Sequence, residues 1–442
     1  MKKFLIFSSI LLIPLISSAQ QAYLGVQNSN RKGMINARMN PAEINNLTKR
    51  IEVNFFSVNA SLSNDVFSFQ DFTSGEDFFE TAFERVDQPV NLRSEMNIMG
   101  PSFGMKLDEW SIGLTSQAFV KADVVNLNPV LGDAIANDGF SQIYNEVRLD
   151  IPYNQRVNTF SWAEIGLMAG RNIWETAAHS LSAGATLKLL FPGSYMNLGL
   201  SDTRATLIQD MTEISLTDAS GELNLTYENN ILDDDFTFNF SRFHMAGPRG
   251  VGLDLGLNYQ FRNGSENVLN TGLALRNIGG MGLGSGQLNH TYVMNIPEGE
   301  RFRVDMLEGN LEEIEQQLLE SGYFTLRRQT SGGRITHPLS LSAYAEWNVA
   351  RQFQVSVYGQ KRLGDENAND RLTAPDLLVI TPRLIVGKLE IYSPWIQHQI
   401  AGFNGGLGVQ FGGFFVGSQS LVTGLAADTK QVDFHMGLSW GF

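Results

Sequence analysis

The sequence predicts an all-β fold: a transmembrane antiparallel β-barrel of 14 strands, with an N-terminal lumenal segment and long extracellular loops. Three observations predict it. The chain opens with an export leader but holds no later helix-length apolar run. Segments of about ten residues alternate apolar and polar side chains, the length a tilted strand needs to cross a bilayer. The connections between them alternate between short and long.

Residues 1–19 carry the three parts of a secretory signal peptide. Lys2 and Lys3 are basic, 4–16 is apolar and interrupted by Pro14, and Ser17-Ser18-Ala19 is a small-residue cleavage site. Cleavage after Ala19 leaves a mature chain of about 420 residues with 30 basic side chains against 46 acidic, a formal charge of −16. That balance excludes nucleic acid as a partner. With no cysteine, the chain has neither a lipid anchor on cysteine nor a disulfide.

Six segments alternate cleanly: 110–121, 181–191, 251–261, 338–347, 352–361 and 431–442. In 251–261 the odd positions read Val, Leu, Leu, Leu, Tyr, Phe, and the even ones include Asp254 and Asn258. Weaker strands are expected at 51–61, 95–107, 159–171, 268–277, 377–386, 389–395, 403–411 and 413–422, which completes fourteen. The apolar rows carry no charge, and Lys188, Asp254, Glu346 and Lys361 are assigned to the lumen. A Lys or Arg on the lipid side near mid-depth costs about 2–4 kcal/mol. Short turns fall near 108–109, 172–178, 262–267, 349–351, 387–388 and 412–413. Long connections cover 62–94, 122–158, 192–248, 278–337, 362–376, 396–402 and 423–430, and are expected outside the cell.

Two segments stand apart. Residues 308–320 read as an amphipathic helix, with Leu307, Leu311, Ile314 and Leu318 on one face. Residues 20–50 are polar with few strand signals, a candidate plug of the lumen. The three parts of the chain are then 1–19 leader, 20–50 N-terminal segment and 51–442 barrel, with large loops near 192–248 and 278–337.

Chemistry-bearing motifs are scarce. The six histidines have no metal spacing, and no G-x-S-x-G elbow is present. Residues 279–286 (GGMGLGSG) have glycine at every second position and open no helix, so a loop is preferred over a phosphate cradle. Asp233, Asp234 and Asp235 with Asn229 and Asn230 match no EF-hand, and an acidic solvated loop is preferred over a Ca²⁺ site. The lumenal Lys188, Asp254, Arg276 and Glu346 are read as structural salt bridges, since a buried charge needs a partner. The chain is expected not to be an enzyme and to hold no cofactor or metal.

Three short motifs carry a resemblance. Gly250, Gly252, Asp254, Gly256 and Tyr259 resemble the GxGxDxGxxY strand of the PorV-like branch of the FadL-type outer-membrane barrels. Residues 273–279, LALRNIG with Asn277 and Gly279, resemble the strand that follows. Asn40, Pro41 and Ala42 resemble the NPA before the first strand of FadL-type families. The resemblance implies an uncharacterised FadL/PorV-like family from bacteria with type IX secretion, residing in the outer membrane. It implies one of two roles. One is binding or admitting small hydrophobic ligands; the alternative is docking secreted or surface proteins on the extracellular side.

The chain ends in HMGLSWGF. His435, Gly437, Trp440 and Phe442 resemble the C-terminal insertion signal of outer-membrane barrels. The expected partners are therefore outer-membrane lipid, the barrel-assembly machinery, and a hydrophobic small molecule or extracellular protein.

Overall fold

The computed structural model describes residues 22–73, 83, 86–136, 146–210, 213–228, 247–264, 266–307, 311–426 and 429–442. The expected leader and the Asp233–Asp235 cluster lie outside them. Among the described residues, fourteen strands close into one antiparallel barrel. They are β1 (Ile51–Asn64), β2 (Val90–Met99 and Ser102–Leu107), β3 (Trp110–Leu127), β4 (Gln155–Glu175) and β5 (His179–Asp210). β6 (Gly250–Asn263), β7 (Glu266–Gly282), β8 (Ser340–Ala350), β9 (Phe353–Arg362) and β10 (Leu377–Val386) follow. β11 (Leu389–Tyr392 and Trp395–His398), β12 (Gly402–Gly405 and Leu407–Phe411), β13 (Phe414–Ser418) and β14 (Gln431–Gly441) complete the wall. Each pairs with the next, and β14 returns to β1 with Ser63 opposite Gln431 and Glu52 opposite Gly441. Closure leaves no sheet edge for lipid to meet. The last residue takes part: Phe442 donates to the Ile51 carbonyl at 2.9 Å and accepts from its N–H at 3.3 Å.

The alternation read from the sequence is the alternation between lipid and lumen. Leu167, Leu187, Leu257, Leu273, Leu341 and Ile380 are exposed on the outside, while Ser182, Asp254, Asn258, Ser342 and Gln354 are buried inside. Trp110, Trp174, Trp347, Phe353, Phe411, Phe414, Trp440 and Phe442 all project outward beside the short turns, forming an aromatic girdle at that rim. A bulge between Asn54 and Phe56 turns both Phe55 and Phe56 outward into it. Two of the two-residue turns rest on Gly387 and Gly412, at φ 63° and 58°, where a side chain would be strained. We call this the near rim and its opposite the far rim.

Several details differ from the sequence reading. Lys361 does not face the lumen: it shares the parity of the outward Phe353, Val355 and Val357, its side chain is exposed, and it pairs with Asp376 beyond the end of β9. The span 95–107 is two strands, broken at Gly100-Pro101, because proline cannot donate to the ladder. The span 413–422 ends as strand at Ser418 and continues as a short helix, Leu421–Ala426.

The described parts of 192–248 and 278–337 are largely sheet. β5 runs on to Asp210, and Glu213–Glu228, Gln287–Ile296 and Phe324–Ser331 extend the wall past the far rim. The expected helix is Leu311–Glu320; residues 308–310 lie outside the described set. Its Leu318 is buried with Leu225, Tyr292, Met294 and Phe324 in a small core of this extension, and Leu311 and Ile314 pack beside it.

Candidate functional site

Residues 22–47 are largely buried against the inward side of the strands in the near half of the barrel. Gly33 starts a helix, Met34–Met39, and Asn40 ends it and begins the next turn, Pro41–Asn46. The Asn40 side chain accepts from the Ala42 N–H at 3.0 Å, and Pro41 occupies the position where a missing N–H costs nothing. The same side chain donates to the Leu257 carbonyl (2.9 Å) and the Tyr344 hydroxyl (3.2 Å), bonding the turn to the wall.

The wall is cut away to receive it. Gly170, Gly184 and Gly256 are register partners on β4, β5 and β6. A Cβ at Gly256 would lie 1.9 Å from Asn40 Oδ1, and one at Gly184 would lie 2.5 Å from the Pro41 carbonyl. Gly170 and Gly272 meet Asn45, Ile44, Asn40 and Tyr344 in the same way. The NPA motif and the second half of the glycine-rich strand therefore specify one contact.

Ion pairs fix the plug further. Lys32 lies 2.6 Å from Glu346 of β8 and 3.3 Å from Glu43, all three buried. Glu43 also accepts from Asn270 (2.8 Å) and Tyr344 (2.6 Å). At the far side Arg383 donates to Glu390 (2.8 Å) and to the Gly25 carbonyl. Below the plug, a polar vestibule of about 240 Å³ opens at the near rim beside Lys32, Asn45, Arg262 and Glu346.

The far half is closed by a different segment. Residues 363–376, between β9 and β10, fold inward, and Leu372, Thr373 and Ala374 are buried. Glu366 accepts from Arg93 (2.9 Å) and Arg362, and its carbonyl accepts from Arg156 (2.8 Å). Thr373 donates to Asp123 (2.7 Å), and Asn369 receives the hydroxyl of Tyr195 and the amide of Asn154. Beneath Leu372, an aromatic ladder lines the lumen: Phe119 stacks on Trp162 at 4.6 Å, Trp162 on Phe160 at 5.2 Å, with Tyr195 edge-on.

Between plug and ladder lies a chamber of about 30 Å³, lined by Arg38, Gln117, Phe119, Glu164, Lys188, Asp254, Arg276 and Asn277 among others. The two wall motifs meet here. A bulge between Leu275 and Ile278 places Asn277 at φ 63° and turns Arg276 and Asn277 inward together. Asp254 caps the bulge by accepting from the Asn277 N–H at 2.7 Å and pairs with Lys188 at 2.7 Å. Lys188 also reaches Asn277 (3.0 Å) and Glu164 (3.5 Å). Gly250 and Gly279 let the strands close around it: a Cβ on Gly279 would stand 2.2 Å from the Val251 carbonyl. Arg276 donates to Gln360 (2.7 Å) and Tyr358 (3.3 Å).

Of the four residues expected to form one network, Lys188 and Asp254 pair with each other, and Glu346 on β8 pairs instead with Lys32 of the plug. Arg276 has no carboxylate partner among the described residues. Gly252 packs beside the Lys188 stem, and Tyr259 faces outward with its hydroxyl on His179 Nδ1 at 2.7 Å. At the C-terminus, His435 is buried against Tyr392 (2.8 Å) beside Tyr23 and Phe415 of the plug contact, and Gly437 makes room for the Phe415 ring. Trp440 and Phe442 face outward. Among the described residues, no group of three potential metal-ligating side chains comes together.

Sequence reasoning missed Lys32, Arg38 and Glu43 of the plug, and it placed 362–376 outside the cell without anticipating that 363–376 folds inward. The one available signal was the pair Arg276-Asn277, two consecutive polar residues in an alternating strand, which announces a bulge.

No curated protein matches the sequence. Among solved structures, the monoaromatic hydrocarbon channel CymD is similar at 10% identity, with 93% of this chain and 94% of that one covered and a TM-score of 0.46. The Ralstonia pickettii toluene transporter TbuX matches at 10% identity over 93% and 94%, TM-score 0.42. The P. putida toluene transporter TodX matches at 8% over 91% and 92%, TM-score 0.41. None of these three concerns type IX secretion, and that part of the resemblance gains no support. Residues 41–419 match the model of DUF5723, described as a family of unknown function, and the chain belongs to that family.

Proposed function

We propose that the chain is a gated conduit of the outer membrane that binds or admits small ligands with apolar bodies, its near rim periplasmic. One observation carries this reading. Two separable chain segments, 22–47 and 363–376, enter the lumen from its two ends and close it together with the wall side chains packed between them, such as Phe119, Trp162, Lys188 and Asp254. A barrel with a purely structural role can fill its interior from the wall alone. The aromatic ladder under the outer stopper offers an apolar ligand its first surface, and the same ligand class stands in the names of the hydrocarbon channel and the toluene transporters.

The test is leakage of toluene-sized solutes and small sugars from liposomes holding the full-length protein or a variant lacking 22–46. The conduit reading expects a tight wild type and a leaky, heat-modifiable deletion variant. A folded deletion variant as tight as wild type sinks it. Isolation of the intact barrel from mild-detergent outer membrane with a stoichiometric protein partner would favour docking through the far-rim extension instead. The terminal strand carries a separate proposal: the assembly machinery reads the outward aromatics, so Trp440→Ser with Phe442→Ser should strand the protein in the periplasm. Normal assembly would refute it.

A further inference from the structure

The chamber between plug and ladder has an unbalanced charge. Its lining holds three cations, Arg38, Lys188 and Arg276, against two carboxylates, Glu164 and Asp254. Asp254 is fully engaged by Lys188 and the bulge N–H, while Glu164 accepts from Trp162 (2.9 Å) and keeps one carboxylate oxygen without a hydrogen bond, 3.5 Å from Lys188. Neither guanidinium has a carboxylate within salt-bridge reach among the described residues. Arg38 hydrogen-bonds the Gln117 amide oxygen and lies over the Tyr23 ring, 5.4 Å from its centroid, and Arg276 donates to Gln360 and Tyr358. Both arginines line the same chamber, where Arg38 feels the like charge of Arg276 and the opposite charge of Glu164.

Two further groups point to an absent acceptor. Arg276 is 6% exposed, and its Nε–H has no partner. Thr186, 3% exposed, lines the same chamber with an unpartnered hydroxyl. A buried cation left without a counter-charge, and buried donors left without acceptors, each cost free energy that a bound anion would recover.

We propose that this chamber binds one small monovalent anion, of halide or carboxylate-group size, between Arg38 of the plug and Arg276 of the wall. The size follows from the space. A water needs about 10–15 Å³ of such volume, so 30 Å³ takes two waters or one such anion and excludes a sugar acid. The anion ties a plug residue to a strand residue, adding a link at the far face of the plug. The site stands on the chamber walls alone and is independent of whether the barrel conducts.

Bromide is the probe. Crystals of the full-length barrel grown in sodium bromide should show an anomalous peak in the chamber, in contact with both guanidiniums and absent in Arg276→Gln. Should that variant fail to fold, Arg38→Gln serves in its place. The Tm of the wild type should be higher in sodium bromide than in sodium gluconate at equal ionic strength, and the difference should vanish in the variant. A chamber without an anomalous peak, in crystals with bromide on their surface, overturns the proposal. So does an equal Tm in the two salts. Conduction failing in the liposome assay leaves both readouts standing.

Discussion

The two stoppers of the lumen are built on opposite plans. The N-terminal plug is helical, rich in buried apolar side chains such as Tyr23, Leu24, Met34, Met39 and Ile44, and seated on a recess cut in the wall by glycines. The loop 363–376 has little apolar area beyond Leu372 and Ala374, and is held by hydrogen bonds and by arginines gathered on Glu366. Apolar burial and steric fit resist small displacements, because interiors are close-packed. Polar bonds can be exchanged for water at a net cost of only about 0.5–1.5 kcal/mol each. The plug therefore resembles a fixture, and the loop a cover that can lift.

The largest expected effect on leakage comes from filling the recess. Gly256→Leu adds a side chain where even a Cβ would collide with Asn40. Overpacking costs typically about 1–3 kcal/mol where neighbours can adjust, and here the neighbour is also the cap of a turn. The plug should leave its seat while the barrel, whose lipid-facing row is untouched, still folds. Liposome leakage with preserved heat-modifiable mobility is the measurement; a tight variant would mean that the plug does not close the lumen.

Next is Lys32→Met, which leaves Glu43 and Glu346 buried and facing each other. Breaking a buried pair costs about 3–5 kcal/mol. Combining it with Glu346→Gln should recover part of that loss in chemical denaturation. Equal stability of the single and double variants would show that the charges are not what seats the plug.

How much of this could be read in advance depends on what each residue faces. The transmembrane strands were legible because lipid demands an unbroken apolar row, as in 251–261. Glu213–Glu228 and Phe324–Ser331 were not, because past the far rim water meets the strand and no such row is required. The NPA motif was legible as a resemblance, but its role required Gly184, Gly256 and Tyr344, which lie about 140 to 300 residues away in sequence. Arg38 sits in MINARM, a six-residue helix with no pattern to mark it. Its meaning lies in the partner it lacks.

A smaller effect is expected at the cover. Glu366→Gln removes the charge on which Arg93 and Arg362 converge, and hydrogen bonds to charged groups contribute about 1.5–3 kcal/mol. The chain has no cysteine, so Ala374→Cys, on the buried side of the loop, gives a clean reporter. Thiol labelling of this reporter should quicken when Glu366→Gln is added and stay unchanged with Lys32→Met. Faster labelling with Lys32→Met would show that the two stoppers move together, and the contrast drawn between them would fail.

The smallest effect separates them by pH. Asp376 closes the loop at the start of β10. Burial raises its pKa, but hydrogen bonds from Lys361 and the Arg362 N–H, with the charges of both, outweigh burial and hold it below the ordinary carboxylate value. A depressed folded pKa contributes stability that is present above the unfolded value, about 3.9, and is lost as pH falls through the folded value. Lys361 is largely exposed, so solvent screens the pair and the effect stays modest. Labelling of the Ala374→Cys variant, with a reagent that reacts in acid, should therefore rise as pH falls below about 3.9, by less than Glu366→Gln produces. Adding Asp376→Asn should bring neutral-pH labelling up to the acid level and flatten the profile. A profile unchanged by Asp376→Asn would place the acid sensitivity elsewhere in the loop.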